Sequence, residues 1–217
     1  WGGERRMRQY LAFAGDGATS SGGVVDLDRG FGGIGAQWTR ASELAGAPVA
    51  YTVGVELDRM SERRRGFVND SGVAGALRRD ERDTVDGFGA YAIARWDITE
   101  RWQLAGGLRH SRVRFRIEDD FITATNPDDS GSRSDSATRA VAGMQYRVGP
   151  ATRLHAAIGG GFETPTFSEL AYRADGQPGL NLSLDAATST HVEVGLDTRL
   201  GRASLLRLSL FRIDTRG

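Results

Sequence analysis

The chain has 217 residues, with 28 basic and 28 acidic side chains and no cysteine. That balance argues against a general affinity for nucleic acid, and the missing cysteine excludes a disulfide framework or a thiolate metal site. Glycine is abundant at 30 residues, and no stretch approaches the roughly 20 apolar residues of a membrane-spanning helix. Membrane-spanning strands are not excluded, because they hide their apolar face in every second residue.

Read in chain order, about nine strand-like runs emerge. The first two, 4–14 and 31–42, are weak; the second carries Ile34, Ala36 and Trp38. Residues 49–58 alternate cleanly, with Val49, Tyr51, Val53, Val55 and Leu57 opposite Ala50, Thr52, Gly54, Glu56 and Asp58. In 86–98, Phe88, Ala90, Ala92, Ala94 and Trp96 oppose Gly87, Gly89, Tyr91, Ile93 and Arg95. In 101–110, Trp102, Leu104 and Leu108 oppose Gln103, Gly107 and Arg109. The runs 139–148, 153–163, 189–200 and 204–210 continue the pattern, with Met144 and Tyr146, Leu154 and Ile158, Val192 and Val194, and Leu206 and Leu208 on their apolar faces.

The connections alternate in length. Short ones fall around 43–47, at Thr99-Glu100, at Gly149-Pro150-Ala151 and at Gly201-Arg202. Long polar segments are predicted at 15–29, 60–83, 118–137 and 164–188. Outer-membrane barrels show this rhythm because their periplasmic turns are tight and their extracellular loops long. Trp38, Tyr51, Trp96, Trp102 and Tyr146 all lie near the proposed short turns, as expected of an aromatic girdle at one membrane interface. A soluble β-sandwich also alternates, but it would not lengthen its loops at one end only.

The expected fold is therefore all-β, an antiparallel transmembrane β-barrel segment. A sheet of nine strands leaves unpaired backbone groups at its edges, which hydrocarbon cannot satisfy. The chain also opens without a basic and apolar leader and closes in mid-strand. It is expected to be a piece of a larger barrel.

The segment Gly159-Gly-Gly-Phe-Glu-Thr-Pro-Thr-Phe-Ser-Glu-Leu-Ala-Tyr172 resembles a signature of TonB-dependent receptors, in which a strand ending G-F-x-T-P is followed by S-E-L. Leu184-Asp-Ala-Ala-Thr-Ser-Thr-His-Val-Glu-Val-Gly-Leu196 resembles that family's loop and following E-x-G-L strand, with Ala186 where the family usually has Pro. Gly89-Ala-Tyr-Ala-Ile-Ala-Arg-Trp96, Trp102-Gln-Leu-Ala-Gly-Gly-Leu-Arg-His110 and Leu208-Ser-Leu-Phe-Arg-Ile-Asp-Thr215 are similar to further strands of its barrel. The resemblance is good over 84–217 and loose before that. It implies a plugged barrel of about 22 strands, of which 1–217 would be a part without plug or TonB box. It also implies an outer-membrane receptor, not an enzyme. The receptor would import a ferric siderophore, ferric citrate or another scarce nutrient, with TonB acting through the absent plug. A passive porin and a soluble binding module are the competing classes.

The motif residues Phe162, Thr164, Pro165, Ser168, Glu169, Leu170, Glu193 and Gly195 read as structural; Pro165 stiffens the strand exit, and Glu169 can cap or pair locally. His110, His155 and His191 lie on different strands and read as isolated lumen-facing side chains, so no metal site or cofactor is expected. The acidic residues Asp119, Asp120, Asp128 and Asp129 read as a solvated loop. No nucleophile–base arrangement is present.

One parity change stands out. Even-numbered residues are apolar through Leu108, but Val113, Phe115 and Ile117 are odd, opposite Arg112, Arg114 and Arg116. A β-bulge near His110–Arg112 would account for it, by re-aiming every later side chain. The arginines, with Arg109 deeper, would then meet an anionic ferric chelate. The competing reading has the strand already clear of the membrane, with these arginines facing water or lipopolysaccharide phosphates. Lipid and lipopolysaccharide are in any case expected partners of the outer surface.

Overall fold

The computed structural model describes residues 1–17, 20–170 and 181–217. These form one antiparallel sheet of nine strands in sequence order. The strands are β1 (Gly2–Tyr10), β2 (Val24–Leu44), β3 (Ala47–Asp70), β4 (Val73–Trp96), β5 (Trp102–Asp119), β6 (Gly131–Arg147), β7 (Thr152–Glu163), β8 (Ala187–Leu200) and β9 (Ser204–Arg216). A short helix, α1 (Phe167–Leu170), follows β7.

Register carries the apolar alternation from strand to strand. Ile34 pairs with Leu57 and Trp38 with Val53; Val53 pairs with Ala92 and Leu57 with Phe88. Ala92 then meets Leu108, Leu108 meets Ala140, Ala142 meets Ile158, Ile158 meets Val192, and Leu196 meets Leu208. Directly paired residues share a face, so the apolar rows from Ile34 to Leu208 named here lie on one continuous surface. That surface is bare: Ile34 is 71% exposed, Leu108 57%, Ile158 51% and Leu208 65%. A sandwich would bury this face under a second sheet. Among the described residues there is none, and the apolar band is the signature of a wall that faces lipid.

The girdle forms as expected at the short-turn end. Trp102 and Tyr146 pack as tilted rings with centroids 4.5 Å apart, and the Trp96 indole donates to the Leu44 carbonyl at 3.2 Å. The β2–β3 turn is closed by Ala45 and Gly46, both at positive φ (52° and 76°), the pattern of a tight hairpin.

At the other end the strands outrun their predicted limits. Residues 60–83, expected as a loop, are the distal halves of β3 and β4, and the hairpin closes over Ser71 and Gly72 at φ 53° and 92°. The reason is physical. Above the apolar band both faces of a strand are polar, so the alternation that marks a strand in sequence disappears. Cross-strand ion pairs replace it: Arg63 with Asp80 at 2.9 Å and Arg59 with Asp86 at 3.6 Å. β2 likewise begins at Val24, inside the predicted 15–29 loop, and β1 stops at Tyr10. The 118–137 loop shrinks to 120–130. Much of the 164–188 segment lies outside the described residues.

Pairing is uneven along the sheet. β2–β3 is in register over the full length of β2, whereas β6–β7 pairing runs only from Val141↔Gly159 to Arg147↔Arg153. Beyond Val141 the two strands part.

Candidate luminal binding site

The polar face carries a recess of about 620 Å³ lined by Gln37, Glu56, Tyr91, Arg109, Ser111, Arg139 and Phe162, among others. The alternation of β3, β4, β5 and β6 sends each charged side chain there. Arg109 donates to Glu56 at 2.6 Å and to Ser111 at 3.1 Å, and its guanidinium lies 5.8 Å from the centre of the Tyr91 ring. The Tyr91 hydroxyl donates to Gln37 at 3.0 Å. Gly89 makes room for Arg109, since a Cβ there would sit 2.5 Å from its Nη2. Arg139 reaches the recess from β6, and its Nε is buried with no hydrogen-bond partner among the described residues. The recess thus offers one neutralised guanidinium and one whose Nε lacks an acceptor, beside an aromatic ring and hydroxyls. Such a wall suits a polar, anionic, partly aromatic ligand.

Arg112, Arg114 and Arg116 do not join Arg109. No bulge interrupts β5 here: Ala90, Gly89 and Phe88 face His110, Ser111 and Arg112 in unbroken register, and β6 pairs as regularly. The register shifts of this hairpin region lie instead near Gly66 and Phe67. The three arginines therefore share the face of Leu104 and Leu108. Phe115 and Ile117 turn inward and are buried, at 4% and 2% exposure. The reason for the parity change is that the wet side changes. Within the band lipid lies outside; above it water does, and the apolar row packs inward.

Around Phe115 and Ile117 the polar face holds a buried charged cluster. Glu62 pairs with Arg29, and Glu81 with Arg79 at 2.5 Å. Asp83 is 3% exposed, and its Oδ1 has no partner among the described residues. Burial, with Glu81 and Glu62 adding to it, pushes the Asp83 carboxyl up to about 7.

Of the motif residues, Phe162 lines the recess, and several others make local contacts. Thr166 N donates to Glu169 at 2.7 Å, and Glu169 N donates back to the Thr166 hydroxyl at 3.3 Å. This is a capping box, and these bonds hold the Glu169 carboxyl below the usual range. Thr164 and Pro165 precede α1, which contains Ser168; Leu170 is fully buried and Pro165 also buried. Ala171 and Tyr172 lie outside the described residues. Glu193 accepts from Ser209 at 3.0 Å and meets His155 Nε2 at 3.1 Å. A Cβ at Gly195 would run into the His155 ring.

The histidines do not converge. His155 and His191 are on the polar face, the latter beside Ser189 at 2.7 Å. His110, expected to face the lumen, is on the apolar face with Thr138 at 3.0 Å. The loop carboxylates are engaged: Asp119 accepts from Phe121 N, Asp120 from Arg82, and Asp128 from Ser130 N, each at 2.8 Å. Among the described residues no cluster suits a metal ion. Glu56, Tyr91 and Arg139 were missed as site residues in sequence; their only signal was a position on the polar side of a clean alternation.

A single-layer antiparallel sheet, bare and apolar outside, girdled by aromatics and polar inside, is the wall of a transmembrane β-barrel. Residues 3–217 match the family model "TonB dependent receptor-like, beta-barrel", and the chain belongs to that family, whose members are transport receptors and not enzymes. The fold agrees with solved structures. The ferric-catecholate import receptor Fiu of E. coli K12 matches at TM-score 0.71 and 16% identity, over 98% of this chain and 36% of that one. The ferric citrate transporter FecA matches at TM-score 0.71 and 16% identity, over 88% and 28%. The copper transporter OprC matches at TM-score 0.67 and 20% identity, over 87% and 29%. The chain thus spans about a third of the length of the receptors it matches.

Proposed function

We propose that residues 1–217 form part of the barrel wall of a bacterial outer-membrane receptor that imports a ferric chelate of the siderophore or citrate class. In this reading other residues of the receptor supply the remaining strands and the plug, and TonB acts through that plug. Family membership and the ferric-chelate receptors among the structural neighbours support the reading. The observation that carries it in this chain is the luminal recess with Arg109 and Arg139 beside Tyr91. Of Arg109, Arg112, Arg114 and Arg116, the proposal keeps Arg109 in the lumen; Arg139 joins it.

The test is titration of the purified full-length receptor with anionic ferric chelates, a neutral ferric chelate and a copper complex. Changing Arg109 and Arg139 together to Gln is expected to weaken an anionic ferric chelate at least tenfold, about 1.4 kcal/mol, and to spare the neutral one. Unchanged affinity in an assembled barrel would remove the recess from the binding site. Binding of copper in preference to iron would change the cargo class.

A further inference from the structure

The outer surface just above the apolar band differs between its two sides. On β1 to β4 a series of outward arginines beyond the band have carboxylates. Arg6 pairs with Asp28 at 3.4 Å, Arg8 and Arg65 with Asp26, Arg63 with Asp80, and Arg82 with Asp120 at 2.8 Å. On β5 the row is Arg112, Arg114 and Arg116, and the register sets it against Ser136, Ser134 and Ser132 of β6. Among the described residues none of the three has an ion pair. Arg112 donates to the Ser134 hydroxyl at 3.0 Å. Asp86, opposite Arg114 across β4, is paired with Arg59 instead.

Side chains two apart on a strand are about 6.5 Å apart. The row is thus a ladder of guanidinium groups backed by hydroxyls. Its foot stands beside Phe88 and above Leu108, with His110 between, and Phe88 and Leu108 are exposed by 40% and 57% at the upper rim of the band. Arginine forks match phosphate oxygens in two-point contact, and basic clusters at the edge of a membrane band collect anionic headgroups.

We propose that Arg112, Arg114 and Arg116, with the serines of β6, dock the phosphate groups of an outer-leaflet glycolipid of the lipopolysaccharide class, whose acyl chains lie on the band below. Two features select this occupant over a soluble anion. Among the described residues the β5 row has no ion pair, unlike the arginines just named on β1 to β4, and it is continuous with the apolar face on which the chains would lie. The proposal rests on reading that face as lipid-facing, and it is independent of the luminal cargo.

The test uses the full-length receptor in detergent and in vesicles containing a bisphosphorylated glycolipid. Retained lipid is counted by native mass spectrometry, with inorganic phosphate as competitor. The variant with Arg112→Gln, Arg114→Gln and Arg116→Gln is expected to retain at least tenfold less glycolipid than wild type, and the triple Lys variant is expected to recover most of it. Ferric-chelate affinity and barrel assembly should stay as in wild type, since the ladder is outside the lumen. Equal retention by the Gln variant, equal binding of dephosphorylated glycolipid, or full displacement by millimolar phosphate would each overturn the proposal. Leu108→Arg separates the two levels: if it assembles normally, the lipid-facing reading itself has failed.

Discussion

The lower and upper halves of strands β3 to β5 are built from the same backbone and obey opposite rules. In the lower half the outside is apolar and the inside polar, as with Val53 and Ala92 against Glu56 and Tyr91. In the upper half the outside carries Arg63, Asp80 and Arg114, while Phe115 and Ile117 are buried inside. The ladder does not notice the change, since β4–β5 pairing runs unbroken through it. What changes is the solvent. Hydrocarbon rewards apolar atoms on the outer surface only as far as the rim; above it, water restores the ordinary preference for burying them.

The sharpest way to break this contrast is to place one charge in each half. Ala92→Arg puts a cation into the band and is expected to cost about 2–4 kcal/mol, seen as loss of the assembled, heat-modifiable form of the full-length receptor. Thr84→Arg, on the same face of β4 but above the rim, should assemble as wild type. If Thr84→Arg is the damaging change, the two halves have been assigned the wrong way round.

A smaller effect should come from the buried charges of the upper half. Glu62 is 2% exposed and leans on Arg29, so Arg29→Met leaves a buried carboxylate without its cation. A loss of about 1–3 kcal/mol is expected, confined to the upper half. Faster amide exchange in the distal parts of β2 and β3, with the band unaffected, would confirm it. Uniform loosening would mean that the halves are not separable.

The smallest effect is one of pH. The Asp83 carboxyl is pushed from its ordinary 3.8 up to about 7. Between those values the folded hairpin holds a proton that an opened hairpin releases. The upper half is therefore most stable below about pH 4 as far as this group goes, and that contribution declines as pH rises towards about 7. Exchange protection of residues 60–83, corrected for intrinsic rates, should be higher at mildly acidic than at mildly alkaline pH. Asp83→Asn should flatten the difference. An unchanged slope in that variant would assign it to another group.

The same contrast explains what could be read in the sequence. Period-two patterning needs one wet side and one dry side. It located the bands of β2 to β9, the short turns and the aromatic girdle, because there the two sides differ. It failed at residues 60–83, where Arg63 faces Asp80 across a ladder with no apolar row outside. At Val113 it left two readings of the parity change, a bulge with lipid continuing upward and a strand already clear of the membrane, and the unbroken register of β5 agrees with the second. His110 was misplaced for a related reason: a polar ring beside Thr138 was assigned to the lumen, though it stands at the rim next to Phe88. The luminal recess was half legible. Arg109 lay on a recognisable polar face, but its meeting with Glu56 and Tyr91 depends on register, which local composition does not fix.

The short β6–β7 pairing gives the wall a mechanical direction. Twisting or pulling a sheet loads every ladder in it, and the ladder with the fewest rungs yields first. Between β2 and β3 the rungs continue from Val24 to Leu44; between β6 and β7 they end at Val141. A strain that stretched the rim would open the wall there like the slack end of a zip, beside Arg139 and the mouth of the recess, while the β3–β4 hairpin moved as a stiff blade.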